Sequence, residues 1–384
     1  MYCSFGNSKN CWRRYFMSEE LIYWIALSQV KNLGIEKINK VIVKVIHEQK
    51  ELLSDLFHSN DLDLKRKYDL SEKEIFEINE VKKELPKYSF LTEDLLAQGY
   101  EVITIDSPKY SKTLKQNLKM KSSPPIVYVK GNTQLLQENS IAIVGSRDAE
   151  EISLKFADNI AKNASKNFKV IVSGFAKGID KQALDSAIKH IGQSIIVLPQ
   201  GIMTFSSGFN KYYKEIQSGD VLVLSTFFPK APWSAQLAMA RNPIIYGLAK
   251  EIYVAQSSDK GGTWAGVIDG LRKGREIFVR LPNPNESNAN SLLIQKGATP
   301  VDFDGNILTI EIEKDNNLAS IERSILELLK KSELSSAEIK KYLKLDWSTN
   351  KMTSFLKNMS DVQTINSKPL KFIVKADLEQ NTLF

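Results

Sequence analysis

Ile141-Ala142-Ile143-Val144-Gly145-Ser146-Arg147 and, further on, Val170-Ile171-Val172-Ser173-Gly174-Phe175-Ala176-Lys177-Gly178-Ile179-Asp180 decide the fold. Each stretch begins as a short β-branched run and stops at a loop that carries glycine. Such runs read as strands buried on both faces, the condition of a strand inside a parallel sheet. Between them, residues 150–167 are long enough for a crossover helix, with Ile152, Phe156, Ile160 and Ala164 near helical spacing. The unit is strand, loop, helix, strand, loop, helix. Both loops then fall at the carboxyl end of the sheet, where open α/β sheets take ligands.

The loop chemistry points to an anion. Gly145, Gly174 and Gly178 permit positive φ and close backbone approach. Each loop leads into a helix N-terminus, whose free N–H groups and positive dipole end favour phosphate. Ser146 and Ser173 can add hydroxyl donors, and Arg147 and Lys177 add full charges. One such loop is equally well explained as a tight β–α turn with solvated cations. Two adjacent loops, each with Ser, Gly and a cation, favour an anion site. Neither is G-x-G-x-x-G, and G-x-x-x-x-G-K-[ST] is absent, so neither a dinucleotide fingerprint nor an ATP-hydrolysing P-loop is indicated.

These residues resemble the DNA-processing protein A (DprA, also Smf) family. The likeness runs from about Ser107 to Phe303 and includes Pro124-Pro125-Ile126-Val127-Tyr128-Val129-Lys130-Gly131-Asn132 and Arg241-Asn242-Pro243-Ile244-Ile245. It implies an extended Rossmann-like domain, a doubly wound and mostly parallel sheet, that binds single-stranded DNA and helps load the recombinase RecA in natural transformation. It also implies a homodimer, with two DNA sites side by side. The sequence departs from the family pattern at three places. Pro243 replaces the second arginine of an Arg-Asn-Arg element, Leu184 replaces a histidine, and Thr226 replaces a glutamate.

Composition is compatible with that expectation. The 384 residues suffice for two or three domains. A net charge of +7 is a moderate basic excess, consistent with nucleic acid without proving it. No apolar run approaches the ~20 residues that span a bilayer, and Met1–Phe16 has no apolar signal core. Cys3 and Cys11 make no metal pattern or disulfide framework, and His47, His58 and His190 are scattered, so a cytoplasmic protein without cofactor or catalytic metal is expected.

Taken in order, residues 1–16 read as a disordered tail, with Met17 a candidate start. Residues 17–96 read as a helical domain resembling a SAM or helix-hairpin-helix module, with Asn32 where a first turn glycine is expected and Pro86 as a break. Residues 97–315 form the Rossmann-like domain. Strands are expected at 100–105, 126–129, 140–145, 169–173, 194–199, 221–225, 251–256 and 276–280, with an edge strand at 298–303. Residues 316–384 read as three helices and a hairpin, a winged-helix-like unit carrying Lys340, Lys341, Lys344, Lys351 and Lys357.

The expected phosphate set is Gly145, Ser146, Arg147, Ser173, Gly174, Phe175, Lys177, Gly178, Asp180, Arg241 and Asn242, with Gly261, Gly262 and Thr263 at the next helix start. Asp180 is expected to cap its helix and fix the loop rather than do chemistry. Trp264 is expected to pack rather than stack on a base. No catalytic residue is assigned. The alternative is a nucleotide-binding sensor, or a nucleotide N-glycosidase like the LOG-type enzymes. Those carry P-G-G-x-G-T-x-x-E here, and the glutamate position is Gly266 in this chain, with Asp269 one turn further on.

Overall fold

Side-chain caps open several helices of this computed structural model, which describes residues 19–309, 316–343, 345, 347–359 and 361–374. The expected tail at 1–16, with both cysteines, and Lys344 lie outside the described residues. The chain divides into two compact units, one ending at Thr309 and one beginning at Ile310.

In the first unit, six helices precede the sheet: 19–28 (α1), Ile35–Ile42 (α2), Leu53–His58 (α3), Asp61–Arg66 (α4), Glu72–Lys83 (α5) and Leu85–Ala97 (α6). A π-helical turn, Val43–Glu48, extends α2. Asn60 caps α4, and Ser71 with Glu74 forms a capping box on α5. Pro86 sits in the first turn of α6, where a missing N–H breaks no helical bond, so it separates α5 from α6.

The sheet strands are Glu101–Thr104 (β1), Ile126–Gly131 (β2), Ser140–Val144 (β3), Val170–Ser173 (β4), Ser194–Val197 (β5), Val221–Ser225 (β6), Glu251–Val254 (β7), Glu276–Arg280 (β8) and Thr299–Val301 (β9). Between them lie Lys112–Ser122 (α7), Glu151–Lys166 (α8), Ile179–Lys189 (α9), Ser206–Lys211 (α10), Tyr213–Ser218 (α11), Ala235–Leu248 (α12), Gly261–Arg272 (α13) and Asn290–Gln295 (α14). The spatial order is β1-β2-β6-β5-β4-β3-β7-β8-β9. From β6 through β9 the neighbours are parallel, and β1 and β2 add an antiparallel edge. The expected doubly wound, mostly parallel α/β sheet is therefore present. The chain steps outward from β3 to β6, then returns to the other side of β3 for β7. That reversal opens a crevice at the carboxyl ends of β3 and β7.

Alternation along β3 builds the core on both faces. Ile141 and Ile143 join Phe156, Ile160 and Ile179 on one side, while Ala142 and Val144 join the larger cluster on the other. That larger cluster also takes in Trp24, Ile42 and Leu95 of the preceding helices. Among the described residues, no helix is long and apolar enough to cross a membrane.

The second unit, described by itself, holds helices Asn316–Lys331 (α15), Ser336–Tyr342 (α16) and Thr349–Asn358 (α17), and strands Leu334–Ser335 (β10), Val362–Ile365 (β11) and Lys371–Val374 (β12), paired antiparallel in the order β10-β12-β11. Ser335 and Glu338 form the capping box that the sequence indicates. Ile325, Leu329, Ile339, Met352, Leu356 and Phe372 fill its core.

The ends of α8 and α9 break the usual rule. α6, α13 and α14 run into Gly99, Gly274 and Gly297 at positive φ, as Schellman caps favour. α8 and α9 make the same motif with Phe168 (φ 54) and Ile191 (φ 55) in the left-handed position. The Lys169 amide bonds the Ala164 carbonyl at 3.0 Å, and the Gly192 amide bonds that of Ala187 at 2.8 Å. Phe168 and Ile191 are 90% and 95% exposed, so neither regains the strain by packing. Ile191→Gly and Phe168→Gly should each raise stability by about 0.5–1 kcal/mol in urea unfolding, more for the β-branched isoleucine. Unchanged or lowered midpoints would show that these side chains hold the helix ends by other means.

Candidate nucleic-acid interface

Three loops meet at the crevice, and backbone bonds lock them to one another. The Ser146 amide donates to the Gln256 carbonyl at 2.9 Å, and the Ile179 amide donates to the Ser146 carbonyl at 3.2 Å. Gln256 also accepts from the Glu150 amide through its side chain, at 2.9 Å. Gly178 (φ 84) lies so close to the β3 loop that a Cβ there would stand 2.3 Å from the Ser146 carbonyl oxygen. Here glycine is required for both conformation and space.

Under these loops lies Arg241 of α12, only 3% exposed. Its guanidinium fills the space left by Gly174, where a Cβ would fall 1.2 Å from Nη1. Nη1 stands 3.6 Å from Oδ2 of Asp180, an ion pair rather than a hydrogen bond. Nη1 and Nε have no hydrogen-bond partner among the described residues. Burial pushes the Asp180 carboxyl above its ordinary range, opposed by the Arg241 charge and the Gly174 amide. Burial and, to a lesser degree, the neighbouring Arg147 charge lower the Arg241 pKa, against the pull of Asp180.

Three expectations are corrected here. Asp180 is not the helix cap: Gly178 occupies that position, and no side chain caps α9. Asp180 sits in the first turn and faces Arg241 instead. Ser173 does not face the cleft: its hydroxyl donates to the Ile143 carbonyl at 2.9 Å inside the sheet. Arg241 itself is a buried floor rather than a surface cation.

Most of the remaining residues divide between two neighbouring pockets. Gly145, Ser146, Arg147, Asp180, Arg241 and Asn242 line a cleft of about 400 Å³ with Gly261, Gly262 and Thr263. Arg147 is exposed at its rim. Gly261, Gly262 and Thr263 are the first turn of α13, so free amides and the positive end of the helix dipole face the cleft. The Asn242 amide donates weakly to the Gly262 carbonyl at 3.4 Å. Gly174, Phe175 and Lys177 line an adjoining pocket of about 330 Å³ instead. Lys177 is 81% exposed and lies 3.1 Å from the equally exposed Asp148, a pair that water screens. Trp264 packs against the main core.

Sequence reasoning missed the support beneath the third loop. Arg280, buried at the end of β8, donates to the Ala255 carbonyl (3.1 Å) and the Ser153 hydroxyl (3.0 Å), and pairs with Glu286. Asn290 accepts from the Ser257 amide at 2.9 Å and donates to the carbonyls of Ala255 and Arg280. No spacing in the sequence marks these residues. Asp269 pairs with Arg272 and Lys273 and lines a different cavity. A Cβ at Gly266 would stand 2.8 Å from the Tyr246 ring. Among the described residues, no group of three or more His, Cys, Asp and Glu is placed to hold a metal.

A family model, DNA recombination-mediator protein A, matches residues 101–310, more than half of the chain. The chain belongs to that family. DNA processing protein DprA of Streptococcus pneumoniae is 32% identical over 179 residues, 46% of this chain and 63% of that relative, just under two thirds of its length. Protein Smf of Synechocystis is 27% identical over 287 residues, covering 73% of this chain and 70% of the relative. The X-ray structure of the S. pneumoniae DprA shares the fold, with a TM-score of 0.55 at 24% identity over 74% of this chain and 94% of its own. The family match spans all three loops and the arginine beneath them.

Asp180→Asn keeps the shape of this site and removes the counter-charge of Arg241. It should lower unfolding stability by about 3 kcal/mol, because a buried charge is left unpaired. Arg241→Gln added to Asp180→Asn should recover part of that loss in a double-mutant cycle. Additive losses would mean that the two groups do not interact.

Proposed function

We propose that the chain binds single-stranded DNA through the cleft at the β3–β7 reversal, as a non-enzymatic DNA-processing protein. One observation carries this: an exposed arginine, a helix N-terminus and a buried, incompletely hydrogen-bonded arginine converge on one open cleft. Arg147 would pair with a phosphate at the rim. The first-turn amides of α13 would take a second phosphate. Arg241 would hold the floor and lend its field. Such sites bind the backbone with little sequence choice. A second copy of the chain and RecA are the partners that the family resemblance suggests. Its C-terminal unit, with three helices and an antiparallel sheet, fits the order of a winged helix, and exposed Lys341, Lys351 and Lys357 would offer a further contact.

The nucleotide N-glycosidase alternative needs a free carboxylate beside the sugar. Asp269 lies outside the cleft in ion pairs, Asp180 is engaged with Arg241, and Asp148, which also lines the cleft, pairs with Lys177 at the surface. Nucleoside monophosphates should therefore release no base in the protein's presence. Sustained release abolished by Asp180→Asn would replace DNA binding with enzymatic turnover.

Binding should favour single strands over duplex and fall with salt at a log–log slope of about −0.7 per phosphate neutralised. Arg147→Ala should flatten that slope by about 0.7 without shifting the unfolding midpoint, and Arg147→Glu should weaken binding further. Equal affinity for duplex, or a slope that Arg147→Ala leaves unchanged, would count against this cleft as the DNA site.

A further inference from the structure

The positive charge of the second unit is one-sided. Among its described residues from Ile339 to Val374 the cations are Lys340, Lys341, Lys351, Lys357, Lys368 and Lys371, and Asp361 is the single acid. Lys341, Lys351, Lys357 and Lys368 are exposed, and none of the four pairs with a carboxylate among the described residues. In the first unit, by contrast, Lys40 pairs with Glu36 and Lys44 with Glu48. α15 of the second unit mixes its exposed charges, Glu322 and Glu327 with Arg323 and Lys330. The excess therefore sits on α16, α17 and the hairpin of β11 and β12.

α17 separates its faces sharply. Met352 and Leu356 are buried in the core with Ile339 and Phe372, which leaves Asn350, Lys351, Ser354 and Lys357 exposed. The helix is also held in place. Ser348 caps it, accepting from the Lys351 amide at 3.1 Å. The hydroxyls of Ser336 and Thr353 hydrogen-bond at 2.7 Å and lock α16 against it. The Lys351 ammonium rests 4.5 Å from the centre of the Trp347 ring, and that ring stands edge-on to Phe355 at 5.1 Å. A cation is thus set in position in the first turn. The exposed residues of α17 include no acid and no aromatic ring. Their Asn and Ser side chains are of the kind that hydrogen-bond base edges.

Building on the contact proposed above for the lysines of this unit, we propose that it binds duplex DNA, with α17 laid in the major groove and the lysines of α16 and the hairpin on the flanking phosphates. The major groove is about 12 Å wide and admits an α-helix, whereas the minor groove, about 6 Å wide, does not. A single strand has no groove, and the exposed face of α17 offers no ring on which an unpaired base could stack. Lysines without carboxylate partners meet a polyanion without first breaking ion pairs. The chain then holds two nucleic-acid sites of different chemistry: a recessed cleft for a single-strand backbone and a convex helix for a duplex. A junction of duplex and single strand offers a ligand to each.

The test uses the full chain, Lys351→Ala combined with Lys357→Ala, and Arg147→Ala, with a blunt duplex and an oligothymidylate of the same length as probes. Both lysines are exposed, so the double variant should unfold at the parental midpoint. The parent should bind the duplex, though less tightly than the oligothymidylate. The double variant should weaken duplex binding about 10-fold or more in about 0.1 M salt and flatten its log–log slope by about 1.8, for two phosphates lost. It should leave oligothymidylate binding unchanged, and Arg147→Ala should do the reverse. A duplex carrying glucosylated 5-hydroxymethylcytosine, which crowds the major groove, should bind the parent several-fold more weakly than the plain duplex. Unweakened binding of the crowded duplex would overturn the placing of α17. Duplex binding that the lysine pair leaves unchanged, or that falls with Arg147→Ala instead, would overturn the site. A parent that binds no duplex would overturn it too and return this face to an acidic protein partner. A parent that binds duplex as described but no oligothymidylate would overturn the cleft reading and leave the duplex site standing.

Discussion

A guanidinium almost sealed from water, 3.6 Å from a carboxylate that burial also disfavours, lies beneath the junction of three loops. Neither group would be stable there alone, since the desolvation of each is offset mainly by the other. The pair therefore constrains its surroundings. Gly174 must lack a side chain because the guanidinium occupies that space, and α9 must begin where it does to bring Asp180 beneath the loop. α12, which carries Arg241, is tied to α9 by the same contact. The loops that approach the ligand are thus fixed from below, and their own backbone bonds fix them from the side.

From this floor the charge distribution follows. The cation in the floor and Arg147 at the rim are like charges close enough to disfavour one another, and the positive end of α13 adds to the same field. The cleft combines an exposed cation at its rim with a buried cation and fixed backbone dipoles beneath it. Arg280, Glu286 and Asn290 anchor the buried base of the third loop, at Ala255 and Ser257, below the exposed stretch that leads into α13. Lys177, paired only with an exposed aspartate, is free to exchange that partner for a phosphate at little cost.

Much of this was legible in the sequence. The β-branched runs at Ile141–Val144 and Val170–Val172 identify central strands, and the glycine loops after them identify the ligand end, because both signals are local. Arg241 was legible as a candidate but not as a buried residue: nothing in Ala240-Arg241-Asn242 tells which way the helix turns it, and the gap at Gly174 makes room for it. Ser173 misleads because serine suits a ligand loop, yet alternation along β4 puts it on the face of Ile171, inside the sandwich. Asp180 looked like a cap because acidic residues favour first turns, whereas the decisive partner is distant in sequence. The Arg280–Glu286 pair carries no periodic signal, and Phe168 and Ile191 defy the glycine rule by which helix ends are read.

The most direct test is hydrogen exchange of the backbone amides, with and without a saturating oligothymidylate, across the whole chain. Expected is slowed exchange concentrated at residues 145–150, 174–180 and 258–264, with the sheet centre unchanged. Slowed exchange confined to residues 316–374, with those three loops unaffected, would contradict the central claim that the crevice between β3 and β7 holds the DNA.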